Sequence, residues 1–286
     1  MAINILEAFD NEPPVMQYLW PKFLLGTVGA LVAPGATGKS FWSLEAAMAV
    51  ACEAPGGDLL GLEPAVHGRV HYIAGEDPEI AIMHRIHSLG AHLDAEARQS
   101  IAKNLTIESL VGQQQNLMNP EHRGALIEKC RGAKLLVIDT LSRIHQLDEN
   151  SNGEMGALIT NLEHVAIKTG ACVLYLHHVS KTAIREGSAD QTSASRGASA
   201  LTNQPRWCAY MSRMTTDEAK TLCEQPGGSP VSDNLDLFVK HGSTKENYAA
   251  KDPGTWYKRA EGGVLLPVTL HKVEKASATR RERACA

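Results

Sequence analysis

The sequence is poor in aromatic residues, which fill 5% of its 286 positions. That argues against a platform on which bases stack along rows of Phe or Trp. It also lacks a large excess of charge: 28 Lys and Arg against 32 Asp and Glu leave a net −4. The chain as a whole is therefore not a polyanion-binding surface, although a local basic lining is compatible with that balance. The six cysteines, Cys52, Cys130, Cys172, Cys208, Cys223 and Cys285, include no CxxC pair. Several lie in apolar runs, where a free thiol behaves as a small buried hydrophobe. This points to a reduced, cytoplasmic setting and away from zinc. No stretch is apolar for 18 residues, and the N-terminus shows no basic region followed by an apolar run. Neither a membrane span nor a signal peptide is expected. No internal repeat and no second globular domain are visible.

What is present is organised around Thr27 to Ser40, TVGALVAPGATGKS. Val28, Ala30, Leu31 and Val32 predict a strand. Ala33-Pro34-Gly35-Ala36-Thr37-Gly38-Lys39-Ser40 follows, and Phe41 to Ala51 reads as an amphipathic helix. Strand, glycine-bearing loop and helix are the setting of a phosphate-binding loop. Gly35 and Gly38 are expected to let the backbone curl so that the N–H groups of Gly35, Ala36, Thr37 and Gly38 point at one anion. The helix adds the positive end of its dipole. Lys39 would reach the β- and γ-phosphates of ATP, and Ser40 would hold Mg²⁺. Ala33 stands where Gly is usual in this motif, which is tolerable if its φ is negative.

The rest of the chain reads as alternating strands and helices. Strands are predicted at Arg69 to Ala74 and Leu105 to Leu110, at Lys134 to Asp139 and at Ala171 to Leu176. Helices are predicted from Glu79 to about Ala91, with Ile80, Met83, Ile86 and Leu89 apolar, then after an Asp94 cap, around Leu126 and Ile127, and from Glu154 to Lys168. The run Leu135-Leu136-Val137-Ile138 suggests a strand buried on both faces, as in a parallel sheet. The expectation is an α/β doubly wound, mostly parallel sheet flanked by helices. Its C-terminal part, with candidates at Arg206 to Ser212, Leu235 to Gly242, Thr255 to Arg259 and Gly263 to Val268, alternates like antiparallel strands. Thr216 to Leu222 reads as helical. Ser180 to Ser199 reads as a long mobile loop carrying Lys181, Arg185 and Arg196. The first residues, with Ile3, Ile5, Leu6, Ala8 and Phe9, form a short amphipathic helix ended by Pro13-Pro14. Too short to stand alone, it must dock on its own core or on a neighbouring subunit.

Carboxylates complete the chemistry. Asp139 closes a buried strand at the ligand edge of an open α/β sheet and suits the Mg²⁺ site. Glu76 follows the strand after the phosphate-loop helix, whose end should lie next to that loop. It is the candidate for orienting the attacking water, unless it merely caps the next helix. His178 ends a strand expected beside that of Asp139. It could report the γ-phosphate to the loop that follows, or be a solvated strand end. His84 and His87 share a helix face without a third ligand and read as surface or packing residues.

The order APGATGKS, AGEDP with Arg85 nine residues after Glu76, LLVIDTL, LYLHH and SRGASAL resembles RecA-like hexameric replicative DNA helicases of broad-host-range plasmids. INILEAF, STKENYAA and WYKRAEGGVL extend the likeness. The resemblance implies a RecA-like P-loop NTPase core spanning 15–270, an N-terminal helical arm at 1–14 and a polar, disordered tail at 271–286. It implies a homo-hexamer with ATP and Mg²⁺ at the subunit interfaces and 5′→3′ movement on single-stranded DNA, with plasmid initiator and primase proteins as further partners. Lys39 and Ser40 then look like phosphate-loop ligands, Glu76 like the catalytic carboxylate, Asp139 like the metal-site acid and His178 like the γ-phosphate sensor. Arg206 looks like an arginine finger reaching a neighbour's ATP. Arg85 and Tyr248 could flank the adenine. Lys181, Arg185 and Arg196 would contact DNA phosphates in the central channel. Trp207 reads as packing. A RecA-like ATPase that assembles on DNA or on a partner as a regulator, without unwinding, would use the same site.

Overall fold

The computed structural model describes residues 2–178, 199–246 and 254–273. Lys181, Arg185, Arg196 and Tyr248 lie outside the described residues, as does the tail beyond Val273. Among the described residues, nine strands form one sheet. In chain order the elements that build its parallel part are β1 (Val28–Ala33), α2 (Lys39–Ala51), β2 (Val70–Ala74), α3 (Glu79–Gly90), α4 (Ala95–Asn104), β3 (Leu105–Ser109), α5 (Pro120–Lys129), β4 (Leu135–Asp139), α6 (Asn152–Thr169), β5 (Cys172–His178) and β6 (Trp207–Arg213). A small pair, β7 (Leu222–Cys223) with β11 (His271–Lys272), stands apart, so His271 and Lys272 of the expected tail are paired. The edge of the main sheet is completed by β8 (Phe238–Glu246), β9 (Thr255–Arg259) and β10 (Leu265–Val268).

The strand order is β10-β9-β8-β6-β1-β5-β4-β2-β3. The pairs from β6 through β3 are parallel, and those from β6 to β10 are antiparallel. Parallel strands need crossover connections, and the helices that supply them cover both faces. One face packs α2, α3 and α4 through Trp42, Met48, Leu89 and Ile101. The other packs α5 and α6 through Leu126, Met155, Leu158 and Leu162. β1, β2 and β4 are buried at every position, as a strand covered on both sides requires.

The structure corrects several expectations. β6 is parallel to β1, not the first of the antiparallel strands. β2 is not beside β1: β5 and β4 lie between them. α2 is not amphipathic, since eleven named positions including Ser43 and Glu45 are buried. It is enclosed by the sheet, by α4 and by β10, whose Leu265 N–H donates to Glu45 Oε1 at 2.9 Å. On α3 the buried residues are Ile82 and Leu89, while Ile80, Met83 and Ile86 are exposed.

An aromatic floor supports β1 from the α2 side. Phe23 stacks on Trp207 at 5.2 Å between centroids, and Trp20 meets both edge-on. Trp207 is thus a core residue, 3% exposed. Gly29 makes the approach possible, because a Cβ there would stand 2.7 Å from the Phe23 ring. By contrast α1 (Ile5–Asp10), capped by Asn4, buries none of its residues. Ile5, Leu6 and Phe9 all face solvent, Phe9 at 81% exposure.

Candidate active site

The carboxyl ends of β1, β4 and β5 and the turn after β2 converge on a cavity of about 380 Å³. Lys39, Ser40, Glu76, Asp139, His178 and Arg259 are among its lining residues. The loop between β1 and α2 curls at Gly38, with φ at +102°. The second left-handed residue is Ala36, at +57°, and not Gly35 as expected; Gly35 has open space around it. Thr37 is buried, and its hydroxyl donates to Pro34 O at 2.8 Å, pinning the turn from within. Ala33 is fully buried with no positive φ, so a methyl fits where Gly is usual.

Lys39 is buried, and its ammonium points back along the loop. Nζ donates to Ala33 O at 3.5 Å and to Pro34 O at 3.4 Å, and it stands 3.1 Å from His178 Nδ1. Burial pushes the Lys39 pKa below its ordinary value, against the pull of Asp139 and Glu76. Asp139 is 4% exposed. Burial raises its pKa, opposed by hydrogen bonds from Ser40 and Tyr72. The Tyr72 hydroxyl donates to Asp139 Oδ2 at 2.8 Å.

Glu76 reaches the cavity although its strand is remote from β1. The N–H of Gly75 donates to Asp139 O at 2.5 Å, folding the end of β2 over that of β4. Thr140 Oγ1 then donates to Glu76 Oε1 at 3.1 Å. The other carboxylate oxygen lies 3.9 Å from His178 Nε2. Burial, and then the charge of Lys39, lower the His178 pKa. Arg85 pairs with Asp77 at 2.5 Å and lies over the Phe41 ring at 5.5 Å from its centroid.

Arg206 does not join this group. It is exposed, and its N–H donates to Val28 O at 3.0 Å, at the start of β1 and β6 and so at the opposite edge of the sheet. Two arginines that the sequence did not single out do join the loop. Arg259 Nη2 donates to Thr37 O at 2.6 Å and to Ala36 O at 3.3 Å, and Arg213 Nη2 donates to Ala36 O at 3.2 Å. Burial and then Arg213 lower the Arg259 pKa. Both arginines lie on C-terminal strands, and no local spacing ties them to the loop. Asp77, Thr140 and Tyr72 also escaped the sequence reading. Among the described residues no group of three or more His, Cys, Asp and Glu side chains forms a metal site.

A parallel sheet with a glycine-bearing anion loop at its central strand, a buried lysine in that loop and an acid two strands away defines a RecA-like P-loop ATPase. The chain belongs to the AAA domain family AAA_25, whose profile matches residues 4–183. Among solved structures, a helicase ATPase domain matches with a TM-score of 0.57 at 12% identity, over 85% of this chain and 85% of that one. The crystal structure of the RadB recombinase gives a TM-score of 0.49 at 14% identity, over 87% of this chain and 92% of the other. Among the described residues no helix is long and apolar enough to cross a membrane.

Proposed function

We propose that the chain is an ATP-driven hexameric replicative DNA helicase of the RepA type found on broad-host-range plasmids. The observation that carries the nucleotide part of this reading is the convergence of Lys39, Ser40, Glu76, Asp139 and His178 on one cavity. The loop N–H groups and Lys39 bind the phosphates of ATP, and Arg85 flanks the base. Glu76, exposed to the cavity and braced by Thr140, orients the water that attacks the γ-phosphate. Neutral His178, beside Lys39 and Glu76, contacts the γ-phosphate.

The donor set fits Mg²⁺. It offers only oxygen ligands, the Ser40 hydroxyl and the Asp139 carboxylate, and no protein-only cage appears among the described residues. A hard cation that keeps several waters and shares substrate phosphates needs no more. When bound, Mg²⁺ neutralises charge on the β- and γ-phosphates.

The hexamer is supported by the bare arm. Its apolar face is exposed, and an apolar cavity of about 680 Å³ lies between α3, α4 and β3, lined by Met48, Ile86, Ile101 and Ile107. The arm of one subunit seats in this cavity of the next, and Arg206 and Tyr248 close the neighbour's ATP site. Lys181, Arg185 and Arg196 contact single-stranded DNA, which moves 5′→3′, with initiator and primase proteins as partners at the replication origin.

The test is strand separation on a forked duplex with ATP, run beside a mass measurement, with Lys39→Ala as the hydrolysis-dead control. Unwinding by a six-fold assembly supports the proposal. A ring that hydrolyses ATP without separating strands overturns it in favour of a regulator.

A further inference from the structure

Tyr72 is the third residue of β2, 3% exposed, with its ring in the core beneath the nucleotide cavity. A phenylalanine would fill that space equally well. The hydroxyl is therefore the informative atom, because desolvating it without a partner would cost about 1–3 kcal/mol.

It has two partners. Tyr72 OH donates to Asp139 Oδ2 at 2.8 Å and lies 2.9 Å from Ser43 Oγ. A carboxylate can only accept, so the phenolic proton is committed to Asp139 and the serine must donate to the phenolic oxygen. The relay runs one way, Ser43 to Tyr72 to Asp139, and each bond polarises the next. Ser43 stands on α2 one turn beyond Lys39 and Ser40, and its Oγ is also 3.2 Å from Ser40 O. Tyr72 thus ties the helix that begins in the phosphate loop to the acid at the end of β4.

We propose that Tyr72 is a positioning residue for the metal–nucleotide site. By holding one carboxylate oxygen of Asp139, it leaves the group turned toward Ser40 and the cation that accompanies the phosphates. The proposal rests on the nucleotide-binding reading above. It concerns a residue that itself touches neither nucleotide nor metal, and such outer-shell partners set metal affinity.

The test is equilibrium binding of a fluorescent ADP analogue to the full chain, titrated with Mg²⁺ and repeated in chelator, for wild type, Tyr72→Phe and Ser43→Ala. The expected result is that Tyr72→Phe raises the Mg²⁺ concentration at half-effect by about tenfold. Affinity without metal should be unchanged, and Ser43→Ala should shift the half-effect the same way by less. An unaltered Mg²⁺ dependence in both variants overturns the proposal. So does an equal loss of affinity with and without metal, which would mark Tyr72 as packing alone. If the wild type binds no nucleotide under any condition, the reading beneath the proposal fails and the proposal with it. Metal-free binding by the wild type separates that failure from failure of the Tyr72 assignment.

Discussion

Lys39 Nζ stands 3.1 Å from His178 Nδ1, so the phosphate loop and the end of β5 share a hydrogen bond. An ammonium can only donate, so Nδ1 accepts and the neutral ring carries its proton on Nε2, toward Glu76. Burial and the neighbouring charge keep the His178 pKa below its ordinary value. A triphosphate in the cavity competes for Lys39 and brings negative charge. The His178 pKa is expected to rise when a non-hydrolysable ATP analogue binds, as read by NMR of the imidazole. A value that does not move would disconnect His178 from the nucleotide.

Arg206 lies across the sheet from the cavity of its own subunit, so any catalytic service it gives must go to another chain. Arg206→Ala should retain nucleotide binding and lose about a hundredfold or more in hydrolysis. Glu76→Gln should do the same. Mixing the two inactive proteins should recover part of the ATPase rate, because some interfaces then pair an intact Glu76 with an intact Arg206. No recovery at any mixing ratio counts against a finger supplied in trans.

Arg259 holds the carbonyls of Ala36 and Thr37 and borders the cavity. A charged donor to a carbonyl contributes about 1.5–3 kcal/mol. Arg259→Gln should therefore weaken ADP binding by about tenfold or more, measured by equilibrium titration. Unchanged affinity would show that the loop keeps its shape without this strut.

Glu45 is buried on α2 with Oε2 unpartnered, and burial pushes its pKa up to about 8 against the bond from Leu265 N–H. Its folded pKa lies above the unfolded one, so the folded state holds the proton more tightly. Stability from this group is full below the ordinary carboxylate pKa of 4.5 and declines as pH rises through about 8. Across that window the slope approaches about 1.4 kcal/mol per pH unit. Glu45→Gln should flatten it, and denaturant unfolding at several pH values would show whether it does.

The bare face of α1 gives a further expectation. Phe9→Asp should leave the circular dichroism of the chain unaltered and lower the assembly mass seen by light scattering. The same mass as wild type would mean that the arm does not hold subunits together.

The parts of the site that were legible in the sequence are those set by local order. A β-branched run, a glycine-bearing loop and a helix identify the stretch around Lys39, and the apolar run before Asp139 shows a strand covered on both sides. What escaped depended on partners distant along the chain. Arg259 meets Thr37 across 222 residues, and nothing near either one announces it. β6 alternates like an antiparallel strand because its partner β8 is antiparallel, while its other partner β1 is not. Ser43 and Glu45 look like the polar face of a helix until Tyr72 and β10 are laid against them. Ala36 takes the left-handed turn expected of Gly35, a choice made by the loop's fit to Arg213 and Arg259 rather than by side-chain size.

β5 is bonded to β1 on one side and to β4 on the other. A strand clamped in this way cannot slip by one position without turning every side chain to the wrong face. It serves as an anvil and not as a piston. Force generated at the phosphates is delivered against it, and the displacement emerges in whatever follows His178 along the chain, while the sheet stays still.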